Sequence, residues 1–183
     1  MRVRINSLEN YKHIHLIGIG GVSMSAIAET LHTWGYKVTG SDAAQSDYTD
    51  KLVKSGVKVT IGHDLTNPKN ADLIIFSAAI KDTDPEMVLA KQFNIPVVTR
   101  GEFVGYLTRR YKESICISGT HGKTTTTSMI SLCFIEANFD PTIQVGAMLK
   151  PINGNYIVGK VIILFWKLVS IWKTSFASLQ KLK

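Results

Sequence analysis

Residues 13–29 read HIHLIGIGGVSMSAIAE. A β-rich run, Ile14–Ile19, passes through a glycine loop. Met24, Ile27, Ala28 and Leu31 then recur at i, i+3, i+4 and i+7, the spacing of one helix face. Gly35 stands where such a helix would stop. Strand, glycine turn and helix form the opening unit of a parallel α/β sheet, and the chain repeats that alternation outward from here. Lys37–Thr39 reads as the next strand, ending at Gly40-Ser41-Asp42. Asp47–Lys54 reads as a helix and Val57–Ile61 as a strand. Asp72–Phe76 is a short apolar run suited to a strand buried on both faces. Pro85 fits the first turn of a helix running to about Phe93. Ile95–Val98 is a further strand.

This doubly wound pattern closes near residue 110 and restarts after TRRYKES. A strand at Ser114–Ser118 meets a second glycine loop, then a helix over Lys123–Ala137 with Asn138 as its C-cap. The expectation is an α/β protein in three parts. Residues 1–110 would form a Rossmann-like parallel-sheet domain, and 111–160 the truncated start of a P-loop ATPase α/β domain. Residues 161–183 would be an aberrant tail.

The chain has 183 residues, 45% of them hydrophobic, and a net charge of +7. Much of that charge sits at the end: Lys167, Lys173, Lys181 and Lys183 face no acid in 161–183. Without those four, the 21 basic residues become 17 against 14 acidic, a balance of +3. Basic residues scattered in this way are a solvated surface, which argues against a nucleic-acid partner. MRVRINSLENYKH lacks the apolar core of a signal peptide. VIILFWKLVSIW carries Lys167 and falls short of the about 20 residues that a membrane span needs. A cytoplasmic protein is expected, with no membrane insertion. Cys116 and Cys133 lie in apolar runs and read as buried, reduced thiols.

The first loop supplies Gly18, Gly20 and Gly21 between a strand and a helix. Glycines let backbone approach a ligand closely, and the helix start offers N–H groups and a positive dipole end to a diphosphate. Asp42 ends the second strand, where an acid can accept hydrogen bonds from a ribose. The G-x-G-x-x-G pattern would place its third glycine at position 23, which is Ser23. A turn that serves packing alone remains an alternative, and the motif does not distinguish NAD from another nucleoside diphosphate.

The second loop, SICISGTHGKTTTTSMI over 114–130, is the stronger signal. Gly119 and Gly122 permit a phosphate-wrapping loop. Lys123 can reach the β- and γ-phosphates, and the Thr124 hydroxyl can bind Mg²⁺. G-x-x-x-x-G-K-[ST] would want glycine at 117, where Ile117 stands, so the loop is a variant. His121 either touches phosphate or shapes the loop. Two phosphate-type loops on successive α/β units suggest two nucleotides. A Rossmann oxidoreductase, the competing reading, leaves Lys123 idle.

The ordered set HIHLIGIGGVSMSAIAE, VTGSD, FSAAI, TRGE and ISGTHGKTTTT resembles the Mur ligases of peptidoglycan synthesis, over about residues 13–160. The resemblance implies a Rossmann-like domain for UDP-N-acetylmuramate, a central ATPase domain and a third domain for the amino acid. It implies a reaction in which ATP phosphorylates the muramate carboxylate and the amine of L-alanine displaces phosphate. A relative that recycles murein peptide onto the same sugar nucleotide is the alternative, and the wording GIGGVSMS favours the alanine-adding branch. By the same resemblance Gly18, Gly20, Gly21, Ser23, Asp42, Ser77, Ala78, Ile80 and Arg100 would bind the UDP-sugar. Gly119, Thr120, His121, Gly122, Lys123, Thr124 and Thr125 would bind ATP, with Lys123 catalytic and Thr124 on Mg²⁺.

The family would continue after GNYIVGK with something like SDYFILEACEY, whose glutamates help hold the metal. This chain reads VIILFWKLVSI. Phe165-Trp166-Lys167 forces Leu-Glu in the frame one base earlier, whichever synonymous codons are used. The expectation is a single frame change near residue 160 and a chain that does not ligate. The DNA across codons 155–165 decides it, and a string unable to encode the family's continuation in another frame would sink the idea.

Overall fold

The computed structural model describes residues 2–159 and, as backbone, 161–167; the rest of the tail singled out above, 168–183, lies outside the described residues. The chain divides into two compact units, Met1–Tyr106 and Leu107–Lys183.

The first unit alternates strand and helix as expected: β1 His13–Ile17, α1 Val22–Thr33, β2 Lys37–Asp42, α2 Asp47–Lys54, β3 Lys58–Ile61, β4 Leu73–Phe76, α3 Pro85–Gln92 and β5 Val97–Thr99. Its five strands are ordered β3-β2-β1-β4-β5 and all pair in parallel. The chain winds outward from β1 first to one side and then to the other. β1 therefore has β2 and β4 as its two neighbours, with Ile17 opposite both Ser41 and Phe76. Both β1 and β4 are buried along their whole length, which is why they read as near-continuous apolar runs.

Local chemistry fixes the helix ends. Gly35, at φ +86°, follows the last turn of α1 and donates its N–H to His32. Ser46 and Thr49 cap α2 reciprocally, each side chain accepting the other's backbone N–H. Asp84 caps α3 by accepting from Glu86 N, with Pro85 in the first turn. One core packs Ile17, Ile74 and Phe76 from the sheet against Met87, Leu89 and Ala90 of α3. Each of the larger side chains contributes about 2 kcal/mol of burial free energy.

A helix not anticipated from the sequence, α4, covers Arg100–Arg110 directly after β5. Phe103, Val104, Tyr106 and Leu107 are its buried side chains.

The second unit contains β6 Glu113–Ile117, α5 Lys123–Glu136, β7 Pro141–Leu149, β8 Gly154–Ile157 and β9 Val161–Lys167. Its sheet is ordered β6-β9-β7-β8. β9 pairs in parallel with both neighbours, and β8 closes the edge antiparallel to β7. α5 packs Ile130, Phe134 and Ile135 against Ile143 and Val145 of β7. Asn138, at φ +59°, lies just past the C-cap Ala137. One expectation is corrected here: Cys116 and Cys133 are both exposed free thiols. Cys116 alternates along β6 with the half-buried Ile115 and Ile117, and Cys133 lies beside Phe134 but off the packed stripe of α5.

Candidate functional site

The first loop leaves the carboxyl end of β1, between the strand pairs that wind in opposite directions. In open parallel sheets this is the crevice where ligands bind. Gly18 and Ile19 donate their N–H groups to Ser41 O at 2.8 and 3.0 Å. Gly20 N donates to Asp42 Oδ2 at 2.7 Å, and Ala44 N to Asp42 Oδ1 at 3.2 Å. Asp42 thus holds the loop to the end of β2. A Cβ on Gly20 would lie 2.9 Å from Asp42 Oδ2 and from Thr49 Cγ2, so a side chain here would have to push aside the Asp42 carboxylate or Thr49. Gly21 is the N-cap of α1 and provides no side-chain hydrogen bond to it. The opening N–H groups of α1 therefore have no side-chain cap, as an anion site at a helix start requires.

The neighbouring strand ends bring further side chains to the loop. Ser77 follows β4, donates its N–H to Ile17 O at 3.1 Å and starts a turn closed by Ile80 N on Ser77 O at 3.0 Å. Ser77 and Ile80 are the side chains nearest Gly18, and Ala78 is exposed in the turn between them. Arg100 follows β5, and its Nη1 donates to Ser23 Oγ at 3.2 Å. Burial pushes the Arg100 guanidinium below its ordinary pKa. Among the described residues no carboxylate lies within ion-pair distance of it. Gly18, Gly20, Gly21, Ser23, Asp42, Ser77, Ile80 and Arg100 thus converge on one edge of the sheet. An open pocket of about 350 Å³ beside α2 and β3 is lined by Gln45, Thr49, Asp50, Val53, Val59 and Ile61 among others, and it shares Thr49 with the Gly20 contact.

The second loop joins β6 to α5. Gly122 caps α5 at φ +73°, a left-handed conformation that favours glycine. Lys123 folds back over the loop: its Nζ donates to the carbonyls of Gly119 and Thr120. Thr127 is buried and bonds Lys123 O at 2.7 Å. Thr124 is partly exposed, while His121 and Thr125 are exposed. The first turn of α5 has no side-chain cap.

Sequence reasoning missed a buried polar chain in the first unit. His13 Nε2 and His15 Nδ1 both bond Thr39 Oγ1, at 2.9 and 2.8 Å. His15 Nε2 meets Glu86 Oε2 at 2.8 Å, with both side chains fully buried. Burial pushes the His13 imidazole below its ordinary pKa despite its bond to Asn70 O. No local motif marks this chain. The one available signal was a pair of histidines at alternate positions of an otherwise apolar strand.

Residues 13–112 match the model of the Mur ligase family, catalytic domain. The chain is 51% identical over 153 residues to a UDP-N-acetylmuramate–L-alanine ligase of Clostridium tetani, covering 84% of this chain and 34% of that protein. It is 53% identical over 149 residues to the enzyme of the same name from Clostridium botulinum, strain Okra, covering 81% and 32%. It therefore spans about a third of the length of the curated relatives it matches. Among solved structures, a UDP-N-acetylmuramate–alanine ligase from Thermotoga maritima superposes with a TM-score of 0.79 at 32% identity, over 86% of this chain and 37% of that one. A murein peptide ligase from Psychrobacter arcticus shares the fold, with a TM-score of 0.79 at 22% identity, over 86% and 38%.

Proposed function

The chain belongs to the Mur ligase family, and on that premise we propose that it supplies the sugar-nucleotide and ATP loops of the ligase that joins L-alanine to UDP-N-acetylmuramate. The observation that carries this reading is Arg100, a half-buried guanidinium that donates to Ser23 at the mouth of the first glycine loop, with no carboxylate at ion-pair distance among the described residues. A cation held there without a carboxylate suits a diphosphate, which can accept from it and from the uncapped start of α1. In this reading Gly18, Gly20 and Gly21 bring backbone against the UDP diphosphate. Asp42 stands beside its nucleoside, while Ser77, Ala78 and Ile80 border the sugar.

The second loop fits ATP on its own chemistry. Lys123 is held by two backbone carbonyls that a triphosphate can replace as acceptor. Gly119 and Gly122 keep side chains out of the cradle, with Thr120, His121 and Thr125 around it. Thr124 follows Lys123 with a hydroxyl suited to Mg²⁺. When bound, ATP supplies the phosphoryl group that makes the muramate carboxylate electrophilic. Lys123 would stabilise the charge on that group as it transfers.

The relatives named as alanine-adding enzymes share about half of their residues with this chain over its first 150 or so, which favours L-alanine over murein peptide as the amine. Nicotinamide chemistry would leave the second loop without a role. A reaction that consumes ATP suits the cytoplasm, where ATP is made. Among the described residues no helix is long and apolar enough to cross a membrane.

Calorimetric titration of the chain tests the proposal, first with UDP-N-acetylmuramate and then with Mg-ATP. We expect saturable binding of the sugar nucleotide, lost in Arg100→Ala, and binding of Mg-ATP, lost in Lys123→Ala. Binding of NADH in place of UDP-N-acetylmuramate would overturn it.

A further inference from the structure

Outside both glycine loops, the first unit gathers three ligand-type side chains on one spot. His63 Nδ1 lies 3.7 Å from Asp84 Oδ2 and 3.8 Å from Glu86 Oε1, and all three atoms fall within 4.8 Å of one another. We propose that His63, Asp84 and Glu86 form a divalent-cation site of zinc-like preference.

The two distances from His63 are close to what such an ion needs. Four-coordinate zinc with nitrogen and oxygen ligands places neighbouring donor atoms about 3.3–3.5 Å apart. His63 is 55% exposed at its side chain, so its ring can close the few tenths of an ångström to each carboxylate, while the carboxylates, within 4.8 Å of each other, must draw together as the ion enters. Asp84 is mostly buried and Glu86 wholly so. Glu86 is the fixed ligand, and Asp84 and His63, both still in reach of solvent, are the ones that adjust, which leaves a path for entry and a position for water.

The carboxylates are already aimed. Asp84 Oδ1 accepts Glu86 N at 2.9 Å as the cap of α3, which leaves Oδ2 toward His63. Glu86 Oε2 is held by His15 Nε2 at 2.8 Å, and Oε1 accepts Asp64 N at 3.1 Å with a lone pair to spare. This is the outer-shell support that fixes ligand orientation in metal sites. Charge points the same way. Among the described residues neither Asp84 nor Glu86 has a lysine or arginine within ion-pair distance; imidazoles alone face them. A divalent cation would neutralise both and tie the segment after β3 to the start of α3. One imidazole with two carboxylates suits zinc over magnesium or calcium, which prefer all-oxygen shells.

The test uses the whole chain with Cys116→Ser and Cys133→Ser, because exposed thiols also bind zinc. Zinc is titrated calorimetrically at neutral pH, and thermal unfolding is followed with zinc, magnesium or chelator. We expect one equivalent bound, a zinc-dependent rise in Tm that magnesium does not give, and affinity at least tenfold weaker in His63→Ala and in Asp84→Asn. Asparagine still caps α3, so the second variant keeps the helix start. Equal zinc affinity in parent and both variants, or no saturable zinc uptake by a parent with native circular dichroism, would overturn the proposal.

Discussion

The Asp42 carboxylate accepts the N–H of Gly20 at 2.7 Å, tying the end of β2 to the turn that leaves β1. Charge-assisted bonds of this kind contribute about 1.5–3 kcal/mol. Asp42→Ala frees the loop, and affinity for UDP-N-acetylmuramate is expected to fall at least tenfold. Asp42→Asn keeps an acceptor and should retain most of it. Calorimetry on the two variants separates a positioning carboxylate from one that touches ligand alone, since in the second case asparagine would fare as badly as alanine.

The Arg100 side chain donates to Ser23 and is half-buried, with no carboxylate at ion-pair distance among the described residues. On the proposed function its role is to hold a ligand. Arg100→Ala should leave Tm within about 2 °C while abolishing diphosphate binding, and Arg100→Lys should fall between because an ammonium lacks the planar fork. A large loss of Tm in Arg100→Ala would place the residue in the core instead.

Burial raises the Asp64 carboxyl, but hydrogen bonds from Asn67, Thr66 and Thr60 outweigh it and hold the pKa down to about 2. A depressed folded-state pKa stabilises the protein above the unfolded value of about 3.9 and loses that stability as pH falls through about 2. Urea unfolding of Asp64→Ala against the parent should show a clear deficit at pH 6 that shrinks steadily below pH 4. A deficit independent of pH would remove the carboxylate from the account.

Breaking the buried His15–Glu86 pair leaves its partner without a match in a dry interior. Glu86→Ala should cost about 3–5 kcal/mol, measured by urea unfolding with chelator present so that no metal contributes. Glu86→Gln keeps the volume and an acceptor and should cost less.

The alternation of β1 through β5 was legible because β1, β4 and β5 are short apolar runs and the more polar β2 and β3 are set off by turn residues such as Gly35 and Gly56. α2 was legible to the residue because its cap is local, with Ser46 and Thr49 three apart. Helix α4 was not. RGEFVGYLTRR carries Gly101 and Gly105, poor helix formers, and tertiary burial of Phe103 and Leu107 overrides them. Gly40 hid a constraint that no turn signal marks: a Cβ there would lie 2.6 Å from Leu16 O. The glycine loops could be found because their chemistry is contiguous. The His15–Glu86 pair joins residues 71 positions apart, and His63 stands at least 21 positions from the two carboxylates it meets, a proximity that only the fold creates.

Strand β9 lies between β6 and β7, although it is the last of the three along the chain, and among the described residues it is the strand that pairs with β6. A ribosome releases residues in order, so β6 waits from residue 117 to residue 167 for this neighbour. At about 5–20 residues per second that wait of about 50 residues lasts roughly 3–10 s. The first sheet has all five strands by Thr99 and can condense while synthesis continues. The strand that carries the Lys123 loop emerges early and matures late, and in that interval its bare edge is open to chaperones and to neighbouring nascent chains.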